Sequence, residues 1–566
     1  MKPDHPLSIV FLSAAVAPGP RAAPLGAARV VSALRASPVI ASRARVAMVE
    51  GYSGDEPESI ASKAIALSPD VLGLSLYSWN SGLLIAAAAL LKARIPGLLV
   101  VAGGPDSTAD PERLVGDGLV DIAVAGEGES AMAQIVTARL EGTPLPGPVL
   151  RAPLIDPASL SSPWLDGTLV PSEWGGAAIE LTRGCPYRCA FCFESKGASK
   201  LRRFPMKVVA AEIAAFEASA SGGGGVEEVF VLDPTFNADS RLMMEAIAIF
   251  RNDGPSLRYF IELRAELLTA DQARALSSIE CSVQIGLQSC DPAVLAKVNR
   301  NFDPEVFPRR LRLLDEEGII FGLDLIYGLP GDTLPGFKRS LDYALGLGPN
   351  HLDVFRLAVL PGTALYDQAT QHGLKYDSAA PYLVRSTPEF CAKDLDDAER
   401  LAAAVDIMYN KGRAVMWFRS VAVLAKARPS TLMARFADYI DESALDKAAL
   451  SADAPHKRIE ALQLGFLTTM FAEKPPRVAG AADAALDLVR VSGAWTRAFA
   501  EGETSELSLG WNPEDLLDYA MDDIAEFASE SARQAGRWAC VSGSDGPRFK
   551  KVNATKQGGS GKKRRS

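Results

Sequence analysis

The sequence predicts an α/β protein in three parts. A Rossmann-like, doubly wound parallel sheet comes first, then a partial (β/α)6 barrel of the TIM type, then an α-helical region. Three observations predict this. Short apolar runs alternate with helix-length runs over residues 1–142, the pattern of a parallel sheet covered by helices. Six more β/α units follow over 178–375. After Tyr376 helical periodicity takes over. Between the first two parts, residues 143–177 hold Pro144, Pro146, Pro148, Pro153, Pro157, Pro163 and Pro171, so they read as a linker. The helical region is expected over 376–541, and the Gly-, Ser- and Lys-rich tail over 542–566 is expected to be disordered.

A chain of 566 residues, 48% hydrophobic, has ample material for several cores. A net charge of −10 gives no reason to expect nucleic acid or a membrane surface as partner, the basic end Lys562 to Ser566 notwithstanding. Met1-Lys-Pro-Asp-His5 leads straight into a strand-like run, so no signal peptide is read, and no apolar stretch suits a bilayer span. Seven cysteines, three of them clustered, argue against a secreted disulfide scaffold. A cytoplasmic monomer is expected.

In the first part the strands are Ser8–Ser13, Arg45–Glu50, Val71–Leu76, Leu98–Ala102 and Asp121–Ala125. Helices are expected at Pro24–Leu34, Pro57–Leu67 and Ser81–Ala93. Ligands of such sheets bind outside the carboxyl ends of the strands. Tyr77-Ser78-Trp79-Asn80, Gly103-Gly104-Pro105 and Gly126-Glu127 fall there. No G-x-G-x-x-G follows the first strand, which argues against a nicotinamide dinucleotide.

The second part opens on Cys185-Pro-Tyr-Arg-Cys189-Ala-Phe-Cys192, three thiols in the spacing C-x3-C-x2-C at the exit of a strand, Ala178–Thr182. Three thiolates suit an iron–sulfur cube with one iron left open better than zinc, which normally wants four protein ligands. A zinc knuckle with a distant fourth ligand, or three unrelated thiols, are the alternatives. The other barrel strands are Glu228–Leu232, Arg258–Leu263, Ser282–Leu287, Gly322–Tyr327 and Leu352–Leu357. Barrels keep their chemistry on the loops after such strands. Cys281 and Cys290, beside the fourth strand, read as small hydrophobic residues.

The cysteine spacing, the aromatic Phe191 before the third cysteine and the six β/α units resemble the radical S-adenosylmethionine (SAM) enzymes. The series Pro24-Leu-Gly, Tyr77 to Asn80, Val101 to Pro105 and Gly126 to Glu129 resembles the cobalamin-binding domain that precedes many of them. The resemblance implies a [4Fe–4S] cluster on Cys185, Cys189 and Cys192, and two further cofactors, SAM and cobalamin. It places SAM near Phe191, Asp233, Thr235, Asn237, Arg264, Gln288, Ser289 and Arg300. The polar run from Asp233 departs from the Gly-Gly-Glu that many relatives carry. The alternative for the two arginines is a salt bridge at the barrel rim. Cobalamin would meet Tyr77, Ser78, Trp79, Asn80, Gly103, Gly104, Pro105, Gly126 and Glu127. The Asp-x-His-x-x-Gly sequence that supplies cobalt with histidine elsewhere is absent, and only His5 lies in the region. The Tyr77–Asn80 loop is therefore the candidate for the lower corrin face.

By the same resemblance the function is methylation of a carbon of a peptide or natural-product intermediate. It would proceed through methylcobalamin and a 5′-deoxyadenosyl radical, with an electron donor such as flavodoxin or ferredoxin. Ring formation or contraction by related radical enzymes is the alternative, and a cobalamin- or redox-sensing module is a third. The cobalamin sheet and the barrel are expected to meet with their strand carboxyl ends facing.

Overall fold

The computed structural model describes residues 6–194, 200–443, 450, 454–543 and 546–552. The chain divides into two compact units, Met1–Thr333 with Arg356–Leu395, and Leu334–Phe355 with Asp396–Ser566.

The first unit begins with a parallel sheet of β1 (Leu7–Ala15), β2 (Ala44–Tyr52), β3 (Val71–Ser75), β4 (Leu99–Gly103), β5 (Ile122–Ala125) and β6 (Val149–Arg151), in the order β2-β1-β3-β4-β5-β6. Alternation along β1 explains the double winding. Ile9 and Phe11 face a core with Val31, Leu34, Val101 and Ile135, while Val10 and Leu12 face another with Ile60, Leu74, Leu84 and Leu91. Each such buried aliphatic contributes about 1.5–3 kcal/mol. The strand order reverses between β1 and β3, so a crevice opens outside their carboxyl ends.

The linker is more structured than its prolines suggest. Val149–Arg151, lying between Pro148 and Pro153, pairs with β5 as an edge strand, where few partners are required. Trp164 is buried, packs edge-on against Phe216 at 5.1 Å and donates to the Ala178 carbonyl at 3.0 Å.

The second sheet comprises β7 (Gly176–Ile179), β10 (Glu228–Val231), β11 (Arg258–Leu263), β12 (Cys281–Gln288), β13 (Ile320–Tyr327) and β14 (His351–Arg356). Its order is β14-β13-β12-β11-β10-β7, consecutive and parallel where register is given, as a partial barrel requires. Between β7 and β10 the short strands β8 (Thr182–Arg183) and β9 (Arg202–Arg203) pair antiparallel and bracket the cysteine loop. On β11, Tyr259, Ile261 and Leu263 are buried outward against helices, which leaves Phe260 and Glu262 on the lumen face. The unit ends with the hairpin β15 (Lys375–Tyr376) and β16 (Val384–Ser386).

The second unit is mainly helical around the fully buried Trp417, Tyr409, Phe418 and Phe436. Asn410 bonds both backbone groups of Leu352, at 2.9 Å each. Trp417, Phe418 and Trp511 are core; Trp495 is half-buried. Two expectations are corrected here. The region is not wholly helical: β17 (Ser505–Leu509), β18 (Gly536–Val541) and β19 (Arg548–Lys551) form an antiparallel sheet. The tail therefore contributes β19, where Phe549 is buried and stacks on Trp495 at 5.7 Å. The remainder of the tail, 553–566, lies outside the described residues. No helix among the described residues is long and apolar enough to cross a membrane.

Candidate active site

The cysteine loop is built by the strand that feeds it. Beyond β7, the Leu181 N–H donates to Asp233 Oδ2 at 2.8 Å, and the Thr182 hydroxyl donates to the other carboxylate oxygen. Gly184 then turns at φ +98°, a conformation glycine adopts without strain, into Cys185. Three more bonds hold the loop: Ala190 N–H to Val298 O at 2.9 Å, Leu365 N–H to Ala190 O at 2.8 Å, and Asn299 Nδ2 to Arg188 O at 2.7 Å. Cys185 and Cys189 are buried, and Cys192 is half-buried.

Burial pushes the Cys185 thiol up, and the Cys192 thiol up to about 11. Thiolates in such a place need positive charge close by. Arg264 Nη1 lies 3.8 Å and Arg300 Nη1 3.9 Å from Cys189 Sγ. Iron would supply the rest. Among the described residues no three His, Cys, Asp or Glu side chains converge as one metal ion would require. In a cube each cysteine binds a different iron, so convergence on one point is not needed.

The expected SAM residues divide into two groups. Arg264, Arg300 and Gln288 come together at the ends of β11 and β12. Arg264 pairs with Glu266 and lies 3.8 Å over the Tyr187 ring. Arg300 donates to the Gly286 carbonyl and, among the described residues, pairs with no carboxylate. Burial, then the neighbouring Arg264, lower its affinity for a proton, so an anion there is favoured. Gln288 sits at φ +68° on a β-bulge, and its Oε1 is buried without a hydrogen-bond partner. That orphan acceptor fits a ligand hydroxyl.

Asp233, Thr235, Asn237 and Ser289 also make bonds within the fold. Asp233 holds the cysteine-loop strand, as above. Asn237 exchanges two 3.0 Å bonds with the Arg264 backbone. Thr235 donates to Pro234 O at 2.7 Å, and its hydroxyl also meets the Cys185 thiol. Ser289 accepts from the Asp291 N–H at 3.1 Å. Buried polar groups at strand ends satisfy backbone first. Phe191 is half-buried in the loop. Cys281 is half-buried, its thiol pushed up to about 12 by burial, and Cys290 is half-buried.

Sequence reasoning missed Tyr187 and Glu262. The Arg264 stack on Tyr187 is a tertiary contact with no sequence signal. Glu262 had one: alternation along β11 turns it into the lumen. It is accessible in the barrel mouth yet recessed, and burial, then Asp324 and Glu194, push its carboxyl up to about 7.

Asp233 gives a pH test. Burial raises its carboxyl to about 6 despite the two donors. Folded, it binds a proton more readily than unfolded, so its stabilising contribution is full below about pH 4 and lost as pH rises through about 6. Against wild type, Asp233→Asn should therefore gain relative stability between pH 4 and 7, on the order of 2 kcal/mol. Chemical denaturation of both proteins at the two pH values measures it; a flat difference would contradict the assignment.

In the first sheet, Tyr77–Asn80 forms a tight turn. Asn80 Oδ1 accepts from the Tyr77 N–H at 2.8 Å, and Nδ2 donates to Ala14 O and Ser75 O at 3.0 and 3.1 Å. Asn80 is thus engaged by the fold. Trp79 stacks on Tyr77 at 4.4 Å and is 49% exposed, and Val16 beyond β1 is 65% exposed. Apolar surface at the β1/β3 crevice suits a corrin face. Gly104 (φ +95°) and Gly126 (φ +110°) are required by the chain itself, since a Cβ would fall 2.5 Å from Leu76 O and 2.9 Å from Ala152 O. A Cβ at Gly103 would meet Leu74 O at 3.9 Å, an ordinary contact, so the chain itself does not demand glycine there. Ser78 is half-buried, and Pro105 starts the helix Pro105–Ala109. Glu127, expected to face cobalamin, has its carboxylate bound by Arg202 at 2.6 Å and by the Ile155 N–H at 2.6 Å. His5 lies outside the described residues.

The carboxyl end of β5 therefore meets the cysteine loop. Arg183, two residues before Cys185, reaches Glu129 at 2.8 Å and Glu127 at 3.5 Å. Burial, then the charge of Glu180, pushes the Tyr77 hydroxyl up.

Residues 14–136 match the family model of the B12 binding domain, and residues 179–344 that of the Radical SAM superfamily. The chain is a B12-binding radical SAM protein. These two domain types take cobalamin, and SAM with a [4Fe–4S] cluster. This radical SAM protein is 29% identical over 362 residues to the cobalamin-dependent radical SAM methyltransferase TokK of Streptomyces tokunonensis, covering 57% of this chain and 52% of that one. It is 28% identical over 360 residues to 2-(S-pantetheinyl)-carbapenam-3-carboxylate methyltransferase of Streptantibioticus cattleyicolor, covering 56% and 51%. The matches span about half the length of these curated relatives. Its fold is that of the cobalamin-dependent SAM radical enzyme OxsB (TM-score 0.58, 13% identity, 93% of this chain and 85% of that one). It is also that of the methyltransferase TsrM from Kitasatospora setae (TM-score 0.54, 18% identity, 66% and 81%).

Proposed function

We propose that this protein is a cobalamin-dependent radical SAM methyltransferase that methylates a carbon of a small-molecule or peptide intermediate. The observation that carries the reading is the meeting, in one compact unit, of a three-cysteine loop flanked by two arginines with the strand ends of a B12 domain. Cys185, Cys189 and Cys192 hold the cluster. Arg300, with no carboxylate partner among the described residues, takes the SAM carboxylate, and Arg264 stands beside it. Gln288 Oε1 accepts from a ribose hydroxyl. Trp79 would offer the corrin an exposed aromatic surface, and Gly103 would bring no side chain against it. When bound, the cluster and SAM supply a hydrogen-abstracting radical and cobalamin supplies the methyl group. Glu262 and Phe260 line the lumen where substrate enters; the walls orient it and exclude water. An external one-electron donor, such as a flavodoxin or ferredoxin, and a cytoplasmic, monomeric state belong to the same proposal.

Incubation with reductant, cobalamin, candidate substrates and methyl-labelled SAM tests it. Methyl transfer yields label in the product, with S-adenosylhomocysteine alongside 5′-deoxyadenosine. The same sites would also serve a radical reaction without methyl transfer. That reading predicts 5′-deoxyadenosine with no S-adenosylhomocysteine and no label in the product.

A further inference from the structure

Two facing halves need something to fix their separation, and one carboxylate is placed to do it. Glu127 stands at the end of β5, at the start of the helix Gly128–Glu141. Its two oxygens take Arg202 at 2.6 and 2.9 Å, and Arg183 lies 3.5 Å away. Arg183 and Arg202 are register partners in the β8–β9 pair, the two strands that bracket the cysteine loop. One acid of the B12 domain thus holds both sides of the base of the loop. Burial would raise its carboxyl, but the bonds from Arg202 and Ile155 and the charge of Arg183 hold it below the ordinary carboxylate range, so it remains charged.

The pairing continues inward with alternating sign. Arg183 also bonds Glu180 at 3.0 Å, and Glu180 takes Arg29 of the B12 domain at 3.2 Å. Arg29 is 3% exposed and lies 4.7 Å over the Phe204 ring. Fork-shaped guanidinium pairs in partly dry surroundings fix geometry more than they add stability.

We infer that Glu127 is a positioning residue: through Arg183 and Arg202 it pins the cysteine loop to the end of β5 and so sets the spacing between the cobalamin and cluster sites. This rests on the function proposed above. It needs no contact between Glu127 and either cofactor, and it gives a reason for the acid in Gly126-Glu127 other than ligand binding.

The test uses the full chain with Glu127→Gln and, separately, Arg202→Gln. Arg203→Gln is the control, since among the described residues Arg203 pairs with Asp239 of the barrel and not with Glu127. In protein loaded with cobalamin and reduced cluster, pulsed electron paramagnetic resonance reads the interaction between cob(II)alamin and cluster spins. Both variants should load both cofactors yet show a broadened iron–cobalt distance distribution, with the control like wild type. In cofactor-free protein, hydrogen exchange at residues 126–131 and 181–183 should quicken together by about threefold or more in both variants. Should Glu127→Gln fail to fold, Arg202→Gln carries the test, because Arg183 still holds Glu127. Unchanged distances and unchanged exchange overturn the inference. If wild type takes up no cobalamin, the functional reading fails instead, and exchange alone decides whether the clasp exists.

Discussion

Replacing Cys185, Cys189 and Cys192 together by alanine should remove the brown absorbance of the reconstituted protein and abolish reductive cleavage of SAM. The expected loss is total, because no other thiol can substitute. Cys281 and Cys290 are half-buried beside β12, Cys391 is exposed and Cys540 is buried in the second unit. Cys281→Ala with Cys290→Ala should therefore keep the cluster. The triple variant should also remain folded, since the loop is held by Asp233, Val298 and Asn299 as well as by metal. Iron and sulfide assays with circular dichroism read both outcomes. Unchanged iron and sulfide in the triple variant would contradict the assignment.

The second large effect is expected at Arg300. Its guanidinium is half-buried beside Cys189, next to a second cation, and among the described residues its other bond is to the Gly286 carbonyl. A buried cation without a carboxylate is costly unless a ligand brings one. Arg300→Met should weaken SAM binding on the order of 10- to 100-fold, the worth of a charge-assisted bond. Equilibrium binding to the cluster-loaded protein measures this without turnover. Unchanged affinity in a variant that still carries its cluster would move the carboxylate site to Arg264.

How much of this was legible in the sequence depended on range. The cysteine spacing is local, so it could be read directly. The strands of both sheets were legible because apolar runs in parallel sheets are continuous. Arg264 and Arg300 were legible only through the resemblance, since 75 and 111 residues separate them from Cys189. Asp233 and Asn237 show a part the sequence did not display: polar residues at a strand end look like ligands, and here they bond backbone groups 52 and 27 residues away. Glu127 was read as a ligand for the same reason, because the arginines that claim it lie beyond the linker. The strand Arg548–Lys551 hid in a lysine-rich tail. Composition predicted disorder, whereas Phe549 and the pairing with β18 decided the structure.

The account turns on the B12 domain and the cysteine loop facing each other across the strand ends. Anomalous diffraction from crystals of the protein loaded with cobalamin, SAM and cluster locates cobalt and iron independently. The predicted result is cobalt at the β1/β3 crevice above Trp79, on the side of the domain that carries Glu127, with the iron on Cys185, Cys189 and Cys192 across from it and SAM between. Cobalt on the opposite side of the sheet, facing solvent in the fully loaded protein, would contradict the account and leave methyl transfer by this route without a physical basis.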